Sequence, residues 1–493
     1  MLTIAQLQRP SLTNDLVLIV PGIMGSKLVD QTNGQTIWNI NPKLFWQGFT
    51  SPESLADLLT PRDEELAGNR RRVRATDLIE TLSQGPYAKL RRGLLCNGVK
   101  DEMIETFPYD WRLDVEGTAH QLAAFINSRL AEWRNDPRQQ AIHQQLPDNP
   151  PAGVILVAHS MGGLVVRALL RLIAADEVEG GSAAARQLGQ SIHGLAYLGV
   201  PLRGSAKAVW AATGRLVDYM SASKGLPGVL TPWMNGLATA AARMPGVYDL
   251  LPDYPALREG GAFDYLTPDR LTGWGADKTL LDDALKRHKA DAAMAPGAIL
   301  RQFDHLTLTK VVGHLQPTVT SVEPGSAGQP QPSQTSYQDV SGQAVGPVPA
   351  YGDGTVPLLP GDDQGRENTT SVRQRHGRLP NHEVTLDQVI AVVDGKRRKS
   401  TRLGAEDRLG LDPPAFALAG QPVRVDATGM DNLQTAWRMI HLETQVETGS
   451  HKREWMDDGR VAAWFKPTLP GLHMIELGNQ PAVQELIGVM GDG

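Results

Sequence analysis

The segment VILVAHSMGGLVVRALL, residues 154–170, runs an apolar stretch into Ala158-His159-Ser160-Met161-Gly162 and then directly into a helical apolar pattern. A serine on so tight a strand-to-helix bend is the arrangement of an acyl-transfer nucleophile. The bend lifts the hydroxyl clear of the strand ends and demands very small flanking side chains. Ala158 is the smallest departure from the usual first glycine. The same bend sets the Met161 N–H at a helix start, aimed at the oxygen that becomes negative during ester attack. A chance match in a surface turn is the competing reading, and the flanking strand and helix weigh against it. His159 reads as packing beside the serine, because adjacent side chains on such a turn point apart.

A serine hydroxyl needs a base to take its proton and an acid to orient that base. The expected chain order is serine, acid, histidine, each after a later strand. In YGDGTVPLLP (351–360), Asp353 stands between two glycines and is the expected acid. A turn aspartate capping its own backbone is the bland alternative, and Asp362 and Asp363 are weaker rivals. For the base, RLPNHEVTLDQVIAVVDG (378–395) places His382 just before an apolar helix. His376, in RQRHGR, is the runner-up, because its polar, basic neighbours read as solvated surface. The second oxyanion donor is expected from IVPGIMGSKL (19–28), at the Ile23 N–H, with Gly22 and Gly25 permitting close backbone approach. A simple strand-ending turn would look the same. This chemistry calls for no metal and no cofactor.

The elements that must position these groups are legible as short apolar runs between longer helical patterns. Residues 15–20, 153–158, 194–200 and 306–314 read as buried strands, and 118–136 and 164–178 as helices. Strands without clean alternation, separated by helices, imply a mainly parallel sheet covered on both faces. Residues 205–300 show helical pieces and no clear strand, as an inserted cap would. Residues 316–350 are rich in Pro, Gly, Ser and Gln and suggest a long loop or short hairpin. After the basic stretch 395–408 the pattern turns β-like. The expected organisation is an α/β core over 1–204 and 301–400, a helical cap over 205–300, and a small immunoglobulin-like β-sandwich over 410–493.

Composition narrows the function classes. The chain has 493 residues, 41% of them apolar, and a net charge of −6, enough for more than one ordinary domain. No basic patch indicates nucleic-acid binding. The single cysteine, Cys96, excludes an internal disulfide and a multi-cysteine metal site. There is no run of 18 apolar residues and no signal-peptide pattern at the start, so the expected location is cytoplasmic, with peripheral membrane contact open. Export without a cleaved signal would leave the same pattern.

Four motifs in order resemble the lecithin:cholesterol acyltransferase family, which includes lysosomal phospholipase A2 and the phospholipid:diacylglycerol acyltransferases. They are VPGIMGSKL, FPYDWRLD (107–114), AHSMGGL with YLGVPLRGS (197–205), and YGDGTVP. The resemblance implies an α/β-hydrolase fold with a cap, and Ser160, Asp353 and His382 as the triad, with Ile23 and Met161 as backbone donors. Asp110 and Arg112 would be a buried structural ion pair. The family's lipid-contacting segment would correspond to TIWNINPKLFWQGF (36–49), with Trp38, Phe45, Trp46 and Phe49, whose bland alternative is packing under the cap. Secreted animal members brace this region with disulfides and lack the β-like tail, and both departures loosen any transfer of substrate. The expectation is a serine esterase or acyltransferase acting on (phospho)lipid esters, with a lipid substrate as its partner. Two alternatives are a catalytically vestigial scaffold that binds a protein partner through the β-sandwich, and a protease on the same fold.

Overall fold

The computed structural model describes residues 11–39, 52–66, 72–79, 87–224, 228, 231–293, 303, 305–338, 344–349, 351–358, 369–395, 409–414, 416–430, 433–457, 459–478 and 483–491. Six strands make the central sheet: β1 (Leu16–Val20), β2 (Ile104–Thr106), β3 (Val154–His159), β4 (Ile192–Leu198), β5 (Thr307–Gly313) and β6 (Thr369–Val372). Their order across the sheet is β6-β5-β4-β3-β1-β2, and every pairing is parallel. β1 (LVLIV) and β3 (VILVAH) are buried along their whole length, as a sheet covered on both faces requires.

Helix α1 (Val115–Arg134) starts at Asp114, whose carboxylate accepts the Gly117 N–H at 2.7 Å. Helix α2 (Met161–Ala174) begins immediately after Ser160 and is buried on nearly every side. Helix α3 (Gly181–Ser191) leads back to β4, and helix α4 (Glu383–Val393) closes the core after β6. The register pairs Val20 with Ala158 and His159 with Leu198, so the C-terminal ends of β1, β3 and β4 lie level. Loops leaving these ends start side by side at the edge where a parallel sheet usually holds its ligand.

The cap differs from expectation. It carries helices Ala208–Ala212, Leu216–Lys224, Thr231–Ala241, Pro268–Trp274 and Lys278–Ala293. It also holds the strand pair Leu257–Glu259 and Ala262–Asp264, which joins Ser321–Pro324 and Pro330–Ser333 in one four-stranded sheet. The Pro-rich stretch after β5 is thus fastened to the cap. Trp210 Nε1–H donates to the Pro330 carbonyl at 3.2 Å, and Trp274 Nε1–H to that of Gly328 at 2.7 Å. Three-residue strands bonded to a distant segment leave no periodic signal in their own sequence.

The C-terminal region forms two facing sheets. One has strands Gly410–Asp412, Val423–Thr428, Val461–Phe465 and Lys452–Trp455; the other has Phe416–Leu418, Val483–Met490, Gly471–Leu477, Trp437–His441 and Glu447–Gly449. Val425, Met439, Val461, Phe465, Ile475 and Ile487 fill the space between them as a core of their own. The Pro-Gly turn at 470–471 carries the chain from one sheet to the other.

Candidate active site

Ser160 occupies φ 53° and ψ −130°, a left-handed backbone that L-residues adopt only when their surroundings enforce it. The constraint is visible. Ser160 N–H donates to the Leu198 carbonyl at 3.0 Å, and Gly162 passes so near β1 that a Cβ there would lie 2.4 Å from the Pro21 carbonyl oxygen. The hydroxyl meets a histidine, and that histidine is His376. His376 Nε2 lies 2.8 Å from Ser160 Oγ, and Nδ1 lies 2.7 Å from Asp353 Oδ2. The other carboxylate oxygen of Asp353 accepts the Thr355 and Val356 N–H groups at 2.9 and 2.7 Å. Burial alone would raise the Asp353 carboxyl. The adjacent His376 and these donors outweigh burial and hold it below the usual carboxylate range. An ionised Asp353 accepts the Nδ1–H of His376 and leaves Nε2 to face the serine as an acceptor.

His382, the base expected from sequence, is not in this constellation. It is the N-cap of α4, where its Nδ1 accepts the Val384 N–H at 3.3 Å. The histidine that meets Ser160 comes off the chain six residues earlier, at the first residue of the 3₁₀ turn His376–Asn381 that follows β6. The basic neighbours that suggested solvent are buried: Arg373, Arg375 and Arg378 are 9%, 5% and 1% exposed. The acidic groups that face Arg375 and Arg378, among them Asp412, Glu476 and Glu485, lie more than thirty residues downstream, so nothing near position 376 announces the burial. Asp353 stands where expected. The rival acids Asp362 and Asp363 lie outside the described residues.

His159 has a defined hydrogen-bonding role. Its Nε2–H donates to the His376 carbonyl at 3.1 Å, and its Nδ1 lies 3.0 Å from Tyr87 Oη. Tyr87 Oη in turn accepts the Gly22 N–H at 2.9 Å. Burial, with His376 alongside, pushes the His159 pKa down to about 3, so the ring is neutral and accepts from the tyrosine. Burial pushes the Tyr87 hydroxyl up, keeping its proton available. One chain of bonds therefore runs from the loop after β1, through Tyr87 and His159, to the backbone of His376. Tyr87, in a segment without a motif of its own, carries no signal of this role in the sequence.

Ile23 lies in the turn after β1, closed by the Gly25 N–H on the Gly22 carbonyl at 3.0 Å. A Cβ on Gly22 would come within 2.8 Å of Ser160 Cβ, which sets this turn directly against Ser160. The Met161 N–H, at the first position of α2, has no acceptor within its helix. The Tyr-Asp-Trp-Arg block braces the same turn. Tyr109 Oη donates to the Pro21 carbonyl at 2.9 Å and Trp111 Nε1 to the Ser26 carbonyl at 3.3 Å. Beneath them Arg112, fully buried, forks onto Asp110 at 2.6 and 2.8 Å and reaches Glu65 at 3.1 Å. Trp38 is partly exposed; its indole N–H donates to the Met24 carbonyl at 3.1 Å and its ring meets Trp111 edge-on. Phe45, Trp46 and Phe49 lie outside the described residues. Among the described residues there is no cluster of three or more metal-ligating side chains, and no helix is long and apolar enough to cross a membrane.

Over residues 74–226 the chain matches the lecithin:cholesterol acyltransferase family. The matched stretch contains the Tyr-Asp-Trp-Arg block, the serine elbow and β4, and supports a lipid acyltransferase or esterase kind of function. Asp353 and His376 lie beyond it. The parallel sheet with its covering helices is the α/β-hydrolase arrangement that this family implies, extended here by the C-terminal β-domain. No curated protein matches the chain.

Proposed function

We propose that this chain is a serine esterase or acyltransferase of the lecithin:cholesterol acyltransferase type, working through an acyl-enzyme on Ser160. The observation that carries the reading is the hydrogen-bonded series Asp353–His376–Ser160, at 2.7 and 2.8 Å. In the proposed mechanism Ser160 Oγ attacks the carbonyl carbon of an ester while His376 Nε2 takes its proton. Asp353 holds the ring in the tautomer that makes Nε2 basic and steadies the imidazolium that forms. The N–H groups of Met161 and Ile23 receive the oxyanion. His376 returns the proton to the departing alcohol. Water, or a second alcohol, then adds to the acyl-enzyme as the same histidine takes its proton, and the acyl group leaves Ser160 Oγ, which takes that proton back from His376.

The family match favours a lipid ester as the acyl donor, with a phospholipid first among the candidates. Contact with a membrane or lipid surface is part of the same proposal, and the partly exposed Trp38 beside the turn after β1 supports it.

A fluorophosphonate probe tests the assignment residue by residue. Wild-type protein should be labelled, and Ser160→Ala should not. His376→Ala should lose labelling by a factor on the order of 10³ or more, whereas His382→Ala should label like wild type. Loss of labelling in His382→Ala with retention in His376→Ala would reverse the assignment. Incubation with mixed phospholipid vesicles and mass spectrometry of the products then separates hydrolysis, which releases free fatty acid, from transfer, which makes a new ester.

A further inference from the structure

The histidine loop is gripped by the C-terminal β-domain. Arg375, next to His376, donates from Nε to Glu485 Oε2 at 2.5 Å, from Nη1 to the Leu411 carbonyl, and lies 3.7 Å from Asp412. All three partners belong to the β-domain: Leu411 and Asp412 to its first strand, Glu485 to its last. Gln374, one residue further back, accepts the backbone N–H of Gln484 on its Oε1 at 3.1 Å. The far side of the Arg375 guanidinium rests on the acid turn, so close to Gly354 that a Cβ there would come within 2.8 Å of Nη2. From the cap, Lys207 Nζ donates to the Gly354 carbonyl. Burial on its own would depress the Arg375 guanidinium, and Glu485 and Asp412 outweigh it and keep the group charged.

We propose that the β-domain is a positioning element of the active site, with Glu485 as its principal contact: its carboxylate seats Arg375 between the acid turn and the histidine loop and thereby fixes His376 against Ser160. With Glu485 removed, the buried guanidinium keeps only the longer Asp412 ion pair at 3.7 Å and must move toward it or admit water. Arg375 shares a backbone with His376 and a surface with Gly354, so its movement displaces the base and the acid together. A displacement of the order of 1 Å at such a centre costs about 10²-fold in rate. The β-domain thus sets how well the triad is aligned, and it does so without touching substrate.

The proposal rests on reading Ser160, His376 and Asp353 as the triad, and its test uses the full chain with two readouts. One is steady-state turnover of a short soluble ester. The other is the downfield proton resonance of His376 Nδ1–H on Asp353, observed with isotope-labelled histidine and assigned by its loss in His376→Asn. Glu485→Ala should lower kcat by roughly 10- to 100-fold with KM within about twofold, and should broaden or remove the resonance. Glu485→Gln keeps an acceptor oxygen at the same reach and should recover most of both signals. Should Glu485→Ala fail to fold, Glu485→Gln carries the test by a smaller fall in kcat at constant KM and a shifted resonance. Wild-type kcat and an unchanged resonance in the folded variants would overturn the proposal, as would a loss confined to melting temperature. If wild-type protein turns over no ester and takes no probe, the esterase reading fails, and the resonance still decides whether Glu485 positions His376.

Discussion

At the level of single residues, the site depends on proton positions that its neighbours enforce. His159 is the clearest case. Beside the serine, it is held neutral and bonded to the carbonyl of His376, the histidine proposed as the base. Tyr87 completes the link by donating to His159 while accepting from Gly22. Removing the tyrosine hydroxyl leaves a buried Gly22 N–H and a buried His159 Nδ1 without partners, at a cost of about 1–3 kcal/mol for each. Tyr87→Phe should therefore lower kcat by about tenfold with KM little changed, because what is lost is alignment rather than substrate contact. Kinetics on a soluble ester check this, and an unchanged kcat would reduce the network to packing. Ser160 and Asp353 could be read from sequence because each sits in a local pattern that its chemistry requires. His376 could not be preferred over His382, since the choice turned on whether three arginines were buried, and the acidic groups facing Arg375 and Arg378 are remote in the chain.

At the level of elements, the turn after β1 and the elbow after β3 are built as one piece. β1 and β3 are adjacent and in register to their ends, so their loops leave the sheet side by side. The Tyr-Asp-Trp-Arg block then ties the first turn down from the other side, through Tyr109 on Pro21 and Trp111 on Ser26. This gives that block a physical role, and agrees with reading Asp110 and Arg112 as structural. Gly22 is the point of closest approach, and substitution there has nowhere to put a side chain, because a methyl would stand 2.8 Å from Ser160 Cβ. Gly22→Ala should keep the fold and displace the turn, taking the Ile23 N–H away from the oxyanion. The expected loss is about 10²–10³ in kcat, measured on the same soluble ester, and wild-type turnover would remove Ile23 from the proposed oxyanion hole. The main strands and helices were legible because each is a continuous apolar or amphipathic run. The cap strands were not, because three residues paired with a segment some sixty positions away carry no period of their own.

At the level of the whole molecule, the core, the elbow and the β-domain share one electrostatic feature: histidines folded into places that refuse a proton. Burial pushes His159 down to about 3 and His473 down to about 4, and it also lowers His314 and His382. They lie in the elbow, at the end of β5, at the cap of α4 and in the last β-domain sheet, so no single part of the fold carries the effect. In each case the folded value lies below the ordinary 6.5, so on acidification the unfolded chain binds a proton that the folded chain does not. Stability contributed by keeping these rings neutral is complete above that value and is lost as pH falls below it. For His159 the loss approaches about 1.4 kcal/mol per pH unit and continues to about pH 3. Asp249, raised by burial, works in the opposite sense, while Asp353, held low, adds its loss only below about 3.8. Between pH 7 and pH 5 the histidines should dominate, and the calorimetric melting temperature should fall across that interval. His473→Asn, in the β-domain and away from the triad, should flatten the fall while leaving ester turnover at neutral pH intact. A slope untouched by His473→Asn would mean that His473 accepts a proton in the folded molecule, and a melting temperature constant from pH 7 to pH 5 would mean that all of these rings do, the neutral His159 on which the Tyr87 link depends among them.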